Sequence, residues 1–169
     1  YTGEPIRPEK DDIVVYVQKY VDGSIKGQPA VALTPDMGVD FQITSYGQNK
    51  DTTSQGSVNI GPVGDNIDGN PDPVYFTIEK ADINTAVADE IAPRYPTTNM
   101  KVEPTPIIRF KGKPLANNTD YTYEYENNEI TDDNPVLNNA NVVVTGKGNF
   151  KGEMRIPFTA EKLDPSNLT

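Results

Sequence analysis

The sequence contains no histidine, no cysteine and no tryptophan among its 169 residues. Without imidazole and thiol groups the chain cannot build Ser-His-Asp or Cys-His nucleophiles, imidazole or thiolate metal sites, or disulfide bonds. Paired carboxylates remain for sugar hydrolysis, but they need a cleft that holds them about 5 to 9.5 Å apart. We expect no such cleft in small β domains, and therefore predict a non-enzymatic protein without catalytic residues or a cofactor.

Long apolar runs and an excess of positive charge are also missing. The longest aliphatic or aromatic run, residues 13–17 (IVVYV), is far shorter than the roughly 20 residues that span a bilayer. The net charge of −10 opposes binding to nucleic acid and to anionic lipid. We expect a monomer that neither inserts into membranes nor binds nucleic acid. The segment starts without Met or a basic, apolar leader, so we expect any export signal to lie outside it.

What the sequence does contain is alternation of apolar and polar residues, closed by Gly, Pro, Asn and Asp. Residues 39–46 and 120–126 alternate most clearly, which is typical of half-buried strands. Further strands are predicted at residues 13–20, 29–33, 57–60, 74–79, 107–110, 141–145 and 154–159. The best helical candidate is Ile83 to Ile91, with Asp82 as N-cap and Pro93 as stop, and its apolar spacing is weak. The pattern predicts an all-β fold of antiparallel sheets.

The chain also repeats itself in order. Residues 1–5 (YTGEP) correspond to 95–97 (YPT), 40–41 (DF) to 120–121 (DY), 58–60 (VNI) to 142–144 (VVV), and 76–80 (FTIEK) to 158–162 (FTAEK). A fixed order of matched segments indicates tandem homologous modules. We predict one module over residues 1–80, a second over 81–162, and a tail or the start of a further repeat at 163–169. Phe41 and Phe76 should lie in one core, and Tyr121, Tyr125 and Phe158 in the other.

The second half resembles a known family. Residues 118–128 (NTDYTYEYENN) and 142–152 (VVVTGKGNFKG) are similar to the pattern GTDYTVSYSNN … VTGKGNYTG … FTI of tandem Ig-like repeats in large bacterial cell-surface proteins of the Firmicutes type. Residues 1–6 (YTGEPI) resemble the start of such a repeat, and 80–83 (KADI) resemble its junction. The first module departs from the pattern, because 61–66 (GPVGDN) stands where GKGNY would be. In the second module, residues 146–149 (GKGN) tolerate positive φ and predict a tight turn.

The resemblance implies two tandem Ig-like antiparallel β-sandwiches, with β-grasp-like modules as the alternative topology. It also implies a secreted, cell-surface or cell-wall-attached protein in which such repeats act as structural stalk, spacer or adhesion modules. Partners would be other repeats of the same chain, host glycans or surface proteins. A second hypothesis is a carbohydrate- or glycoprotein-binding module that accompanies an exported enzyme.

One acidic loop suggests a cation. Asp65, Asp68 and Asp72 lie with two asparagines within residues 64–73 (GDNIDGNPDP), and oxygen-only ligands are those that Ca²⁺ prefers. The spacing is not that of an EF-hand, and the same residues are common turn formers. Calcium binding and a solvated turn are therefore both open, and no metal site is assigned.

Two further features allow alternatives. Tyr121, Tyr123 and Tyr125 share one face of a strand, where they either pack inward or stack sugar rings; Thr122 and Glu124 suit the surface better, which favours the core. An internal Lys–Asn isopeptide bond, which occurs in surface-protein Ig-like domains, would replace missing disulfides. No sequence signature selects its three residues, and we expect no such bond.

Overall fold

The computed structural model describes residues 1–18, 30–32, 41–64, 69, 71–164 and 166. Within them the regular structure is β-strand, with two 3-10 turns and no α-helix. The first strands are β1 (Tyr16–Gln18), β2 (Ala30–Ala32), β3 (Phe41–Tyr46), β4 (Gly56–Pro62), β5 (Val74–Phe76), β6 (Ala81–Asp82), β7 (Val87–Ala88) and β8 (Met100–Lys101). They are followed by β9 (Ile108–Phe110), β10 (Lys113–Pro114), β11 (Tyr121–Glu126), β12 (Glu129–Ile130), β13 (Val136–Gly146), β14 (Phe150–Lys151) and β15 (Glu153–Glu161). The predicted all-β class is confirmed.

The chain divides into two compact units. Thr2–Ile78 form one, called here the N-terminal unit. Tyr1 and Glu79–Thr169 form the other, the C-terminal unit. The buried apolar residues likewise form two separate clusters, one in each unit.

The C-terminal unit is built from two antiparallel three-stranded sheets, ordered β11-β13-β15 and β7-β9-β10. The first sheet contributes buried side chains such as Tyr121, Val142 and Phe158, and the second contributes Ile108 and Phe110 to the same cluster. Alternation along β15 is regular, with every second residue from Ile156 to Ala160 buried. The arrangement is consistent with a β-sandwich.

A loop between β13 and β15 leaves the sheet and returns. Gly146 N–H donates to Gly152 O at 2.9 Å, and within the loop β14 pairs in parallel with β6. Gly148 has φ +60°, and a Cβ there would lie 2.8 Å from the Thr119 carbonyl oxygen. The tight turn predicted at residues 146–149 is confirmed, and its glycine is required both by backbone conformation and by space.

The N-terminal unit contains a three-stranded antiparallel sheet, ordered β3-β4-β5, and the pair β1-β2. Its buried cluster includes Phe41, Val58 and Ile60, with Phe76 partly buried against it. In the C-terminal unit Tyr121 and Phe158 are buried and Tyr125 is partly buried. The five predicted core aromatics therefore all contact the predicted core.

The two sheets repeat one pairing register. Val58 pairs with Val74 and Gly56 with Phe76 in β4-β5. Val142 pairs with Ile156 and Ala140 with Phe158 in β13-β15. The structural counterparts are thus the same residues that the sequence repeat matched, because VNI aligns with VVV and FTIEK with FTAEK.

The helical candidate at Ile83 to Ile91 is wrong. Asp82 caps a turn as predicted, accepting from Asn84 N–H at 2.9 Å, and its hydrogen bonds with Asn84 lower the pKa of Asp82. However, the turn is a 3-10 turn that ends at Thr85, and Val87 then pairs with Arg109 in β7-β9. Within residues 83–91 only Ile83 and Ala86 are buried, and they lie one turn apart. A longer helix would therefore have no continuous apolar face to bury.

Candidate functional site

The tyrosine column of β11 packs inward. The rings of Tyr121 and Tyr123 are 6.2 Å apart and those of Tyr123 and Tyr125 are 5.8 Å apart, the latter edge to face. The opposing segment, residues 102–108, alternates with buried Val102, Pro104, Pro106 and Ile108. The core interpretation of the column is confirmed, so these rings do not form a platform for sugars.

The hydroxyl groups of this column find backbone partners. Tyr125 Oη donates to the Pro104 carbonyl at 3.2 Å, and Tyr121 Oη lies 3.5 Å from the Pro106 carbonyl. Residues 103–107 form no strand, so the phenols supply partners to carbonyls that lie outside a β-ladder. Burial raises the pKa of Tyr125 to about 12 and also raises the pKa of Tyr121. Both phenols are therefore neutral structural groups.

Sequence alignment of the repeats did not find the N-terminal counterpart of Tyr125. Ser45 stands at the aligned position, but β3 contains an irregularity between Ile43 and Ser45. As a result Tyr46 pairs with Val58, as Tyr125 pairs with Val142. Tyr46 Oη then donates to the Pro8 carbonyl at 3.1 Å. A one-residue bulge has moved a tyrosine into the equivalent position of the pairing, which only the backbone reveals.

The structure also brings together a lysine, an asparagine and an aspartate. Lys162 Nζ donates to Asn99 Oδ1 at 2.7 Å and to Asp132 Oδ1, and Asn99 Nδ2 donates to Asp132 Oδ2 at 3.2 Å. Asn99 precedes β8, Asp132 follows β12, and those strands pair. Lys162 follows β15, and its N–H donates to Pro135 O at 2.8 Å. The pairing of these strands explains why residues 30 and 63 positions apart meet.

These are the groups that an isopeptide bond needs, in a setting that opposes its formation. The lysine must be neutral to attack the amide carbon, and the carboxyl must be protonated to assist departure of ammonia. The Asp132 side chain is 79% exposed, and the hydrogen bond from Lys162 lowers its pKa. Asp132 is therefore ionised at neutral pH and does not supply the proton that departure of ammonia needs, so the cluster acts as a polar tie between the end of β15 and the turn after β12.

The predicted calcium residues are only partly within the described chain. Asp65 and Asp68 lie outside the described residues, and Asp72 is exposed two residues before the start of β5. Among residues that the structure describes, no group of three acidic side chains is arranged to hold a metal. Calcium binding by this loop stays a hypothesis.

Two shallow grooves lie on the C-terminal unit. One, of about 440 Å³, is lined by polar residues including Lys101, Asn127 and Asn134. Another, of about 560 Å³, is lined by Tyr95, Pro96, Met100 and Val102 among others. Tyr95 is 57% exposed, and Met100 is also exposed. Neither groove gathers groups for covalent chemistry.

In the described parts of the chain, no helix has both the length and the apolar character needed to cross a membrane. Comparison with known proteins finds no matching family model, no matching curated protein and no matching solved structure.

Proposed function

We propose that this chain is a non-enzymatic structural segment of a bacterial surface or secreted protein, made of two tandem Ig-like modules that serve as a stalk or spacer. The observation that carries the proposal is the repeated pairing of β3-β4-β5 and β11-β13-β15, with Gly56 opposite Phe76 and Ala140 opposite Phe158. Repeated modules with their own cores extend a chain without requiring a site. The resemblance of residues 118–128 and 142–152 to surface-protein repeats supports the extracellular location.

Backbone pairing between residues 94–96 and the segment from Thr159 to Leu163 suits a load-bearing role. Arg94 N–H donates to Thr159 O at 3.0 Å, Glu161 N–H donates to Arg94 O at 2.9 Å, and Leu163 N–H donates to Pro96 O at 2.9 Å. The two segments run in parallel. Force applied along these two segments would therefore load the three bonds together.

Solution scattering tests the spacer function. A compact chain of 169 residues has a radius of gyration of about 15 Å. We expect a clearly larger radius and an elongated distance distribution, because a spacer must separate its ends. A radius near the compact value would contradict the proposal.

Adhesion to glycans is the second candidate, and exposed aromatics are the observation that favours it. Tyr16, Tyr75 and Tyr95 are each more than half exposed, and exposed tyrosines can stack on sugar rings. Screening the chain against a glycan array, with Tyr75→Ala and Tyr95→Ala as variants, tests this candidate. Binding that either variant abolishes would favour adhesion over a pure spacer.

A further inference from the structure

An aromatic residue from the far end of the sequence completes the core of the C-terminal unit. Tyr1 belongs to this unit, and its ring stacks on Phe110 at 5.9 Å and meets Phe150 edge to face at 5.4 Å. Phe110 and Phe150 also contact each other edge to face at 5.1 Å. Three mutually packed rings are favourable beyond the area that they bury. Tyr1, at the start of the first repeat, thus packs against the pair of Phe110 and Phe150 in the C-terminal unit.

The backbone holds Tyr1 beside the junction. Its amine donates to the carbonyl of Glu79, the glutamate of the first FTxEK segment. Ala81 N–H donates to Asn149 O at 3.0 Å, and β6 pairs with β14, which contains Phe150. The junction residues therefore place the phenylalanine pair next to the position of Tyr1.

The second repeat presents its own tyrosine at the corresponding place. Tyr95 and Pro96 lie beside Glu161, which belongs to the second FTxEK segment, and Leu163, which follows that segment. Here the N–H groups of Arg94 and Leu163 make the pairing, whereas at the first segment the Tyr1 amine donates to Glu79 O. Tyr95 is 57% exposed and, with Met100 and Val102, lines a shallow groove of mixed polarity that also includes Arg94 and Glu103. An exposed aromatic next to apolar residues is typical of an interaction surface.

We propose that Tyr95 is a docking residue for a further module of this same type, which would cover it with the counterparts of Phe110 and Phe150 as those residues cover Tyr1. This inference rests on the proposed tandem-module function and adds how consecutive modules are joined. The partner is an aromatic pair on the module that follows a Glu-Lys junction, as Phe110 and Phe150 follow residues 79–80 (EK) in the C-terminal unit.

The test uses a three-module chain in which residues 1–162 are followed directly by a second copy of 81–169. Because the protein has no tryptophan, Tyr95→Trp in the first copy gives a unique fluorophore. In the original chain we expect the emission of a water-exposed indole. In the three-module chain we expect a shift to shorter wavelength, toward the emission of a Tyr1→Trp reference. Val87→Trp is the matched control, since Val87 is exposed in the same unit, and its emission should be equal in both chains.

The inference is overturned if the indole of Tyr95→Trp keeps its water-exposed emission while the appended module unfolds cooperatively. A second variant guards against a disturbance by tryptophan itself. Tyr95→Ala should raise the equilibrium constant for unfolding of the appended module by about three- to tenfold, which is the effect of losing one aromatic pair. It should leave the unfolding of the original chain unchanged. Equal effects of Tyr95→Ala in both chains would also overturn it.

Scattering of the three-module chain separates this inference from the proposed function. An elongated particle in which the indole of Tyr95→Trp is exposed leaves the spacer function standing and rejects docking through Tyr95. A compact particle in which that indole is covered rejects the spacer function and retains the docking contact.

Discussion

The two units carry the same three-strand pairing but very different lengths of sheet. In the C-terminal unit β13 has eleven residues and β15 has nine, whereas in the N-terminal unit β4 has seven and β5 has three. The shared part is centred on a small residue opposite a phenylalanine, Gly56 with Phe76 and Ala140 with Phe158. The two units therefore share this pairing register and not the length of their strands.

Burial differs at that shared position. Phe158 is 3% exposed, whereas Phe76 is only partly buried and lies across Gly56. A Cβ at Gly56 would come within 2.3 Å of the Phe76 ring. In the N-terminal unit the Phe76 ring therefore packs on the backbone of Gly56, while in the C-terminal unit the Phe158 ring is enclosed by side chains. The same pairing is compatible with two kinds of packing.

Removal of the paired phenylalanine should have the largest effect and should separate the two units. We expect Phe158→Ala to lower the free energy of unfolding of the C-terminal unit by about 3 to 5 kcal/mol, because it leaves a cavity. Phe76→Ala should cost roughly half as much, since less of its surface is removed from water. Urea denaturation measures both. Equal losses would show that the difference in burial is unimportant.

The asparagines that follow β3 and β11 differ in burial in the opposite sense, because here the residue of the N-terminal unit is the more buried one. Asn49 is buried, donates from Nδ2 to Ser57 O at 2.9 Å and accepts from Ser57 N at 2.7 Å, whereas Asn127 is exposed and donates to Asn139 O at 3.3 Å. Both have positive φ, so glycine preserves the backbone. Asn49→Gly should cost about 1 to 3 kcal/mol because it leaves the partly buried N–H of Ser57 without its side-chain acceptor. Asn127→Gly should cost less than about 0.5 kcal/mol.

Thermal unfolding of the two glycine variants decides this prediction. If Asn127→Gly destabilised its unit as much as Asn49→Gly does, the buried pairing with Ser57 would not be the reason for the effect.

Tyrosine hydroxyl groups should give a smaller, pH-dependent difference. Tyr125→Phe should lower stability at neutral pH by about 0.5 to 1.5 kcal/mol, through loss of the bond to Pro104. Tyr46→Phe should cost less, because Tyr46 is 36% exposed and water can replace it.

The pKa of Tyr125 is raised in the folded unit to about 12, above the unfolded value of about 10. Its contribution is therefore complete below pH 10 and is lost as the pH rises from about 10 to 12. Denaturation from about pH 8 to 12 should show this loss in the parent chain and a shallower one in Tyr125→Phe. Identical slopes of stability against pH in the two chains would contradict the assignment of this pH dependence to Tyr125.

The smallest expected effect concerns Asp132. We expect the intact mass to equal the sequence mass, with no loss of ammonia between Lys162 and Asn99. Lys162 lowers the pKa of Asp132 in the folded unit, so the stabilisation from this pair is present above the unfolded pKa and disappears as the pH falls through the folded value. Asp132→Asn should likewise show no loss of ammonia, and its free energy of unfolding at neutral pH should be almost that of the parent chain. A deficit of one ammonia, absent in Lys162→Arg, would overturn the polar-tie interpretation.

Periodicity predicted the strands that have enough residues to show it. Residues 120–126 and 154–159 alternate; the first range contains all of β11, and the second forms the central part of β15. Two-residue strands such as β6 and β14 have no period to detect, and their parallel pairing joins residues far apart in sequence. For such segments the surrounding fold decides the structure, not the local pattern.

The candidate sites were less predictable for two physical reasons. The cluster of Lys162, Asn99 and Asp132 depends on which strands become neighbours, which side-chain type alone does not specify. The bulge in β3 changes the counterpart of Tyr125 from Ser45 to Tyr46, and a one-residue shift leaves no gap in an alignment of the repeats. The inward orientation of the tyrosine column was predictable, because the residues between the tyrosines suit the surface.

The contact of Tyr1 with Phe110 and Phe150 has a consequence for the order of synthesis. A ribosome adds about 5 to 20 residues per second, so Phe150 is made roughly 7 to 30 s after Tyr1. The N-terminal unit is complete in sequence during that interval, yet Tyr1 has no aromatic pair to join until the loop before β15 has been made. The first residue of the segment is therefore one of the last to reach its place in a core.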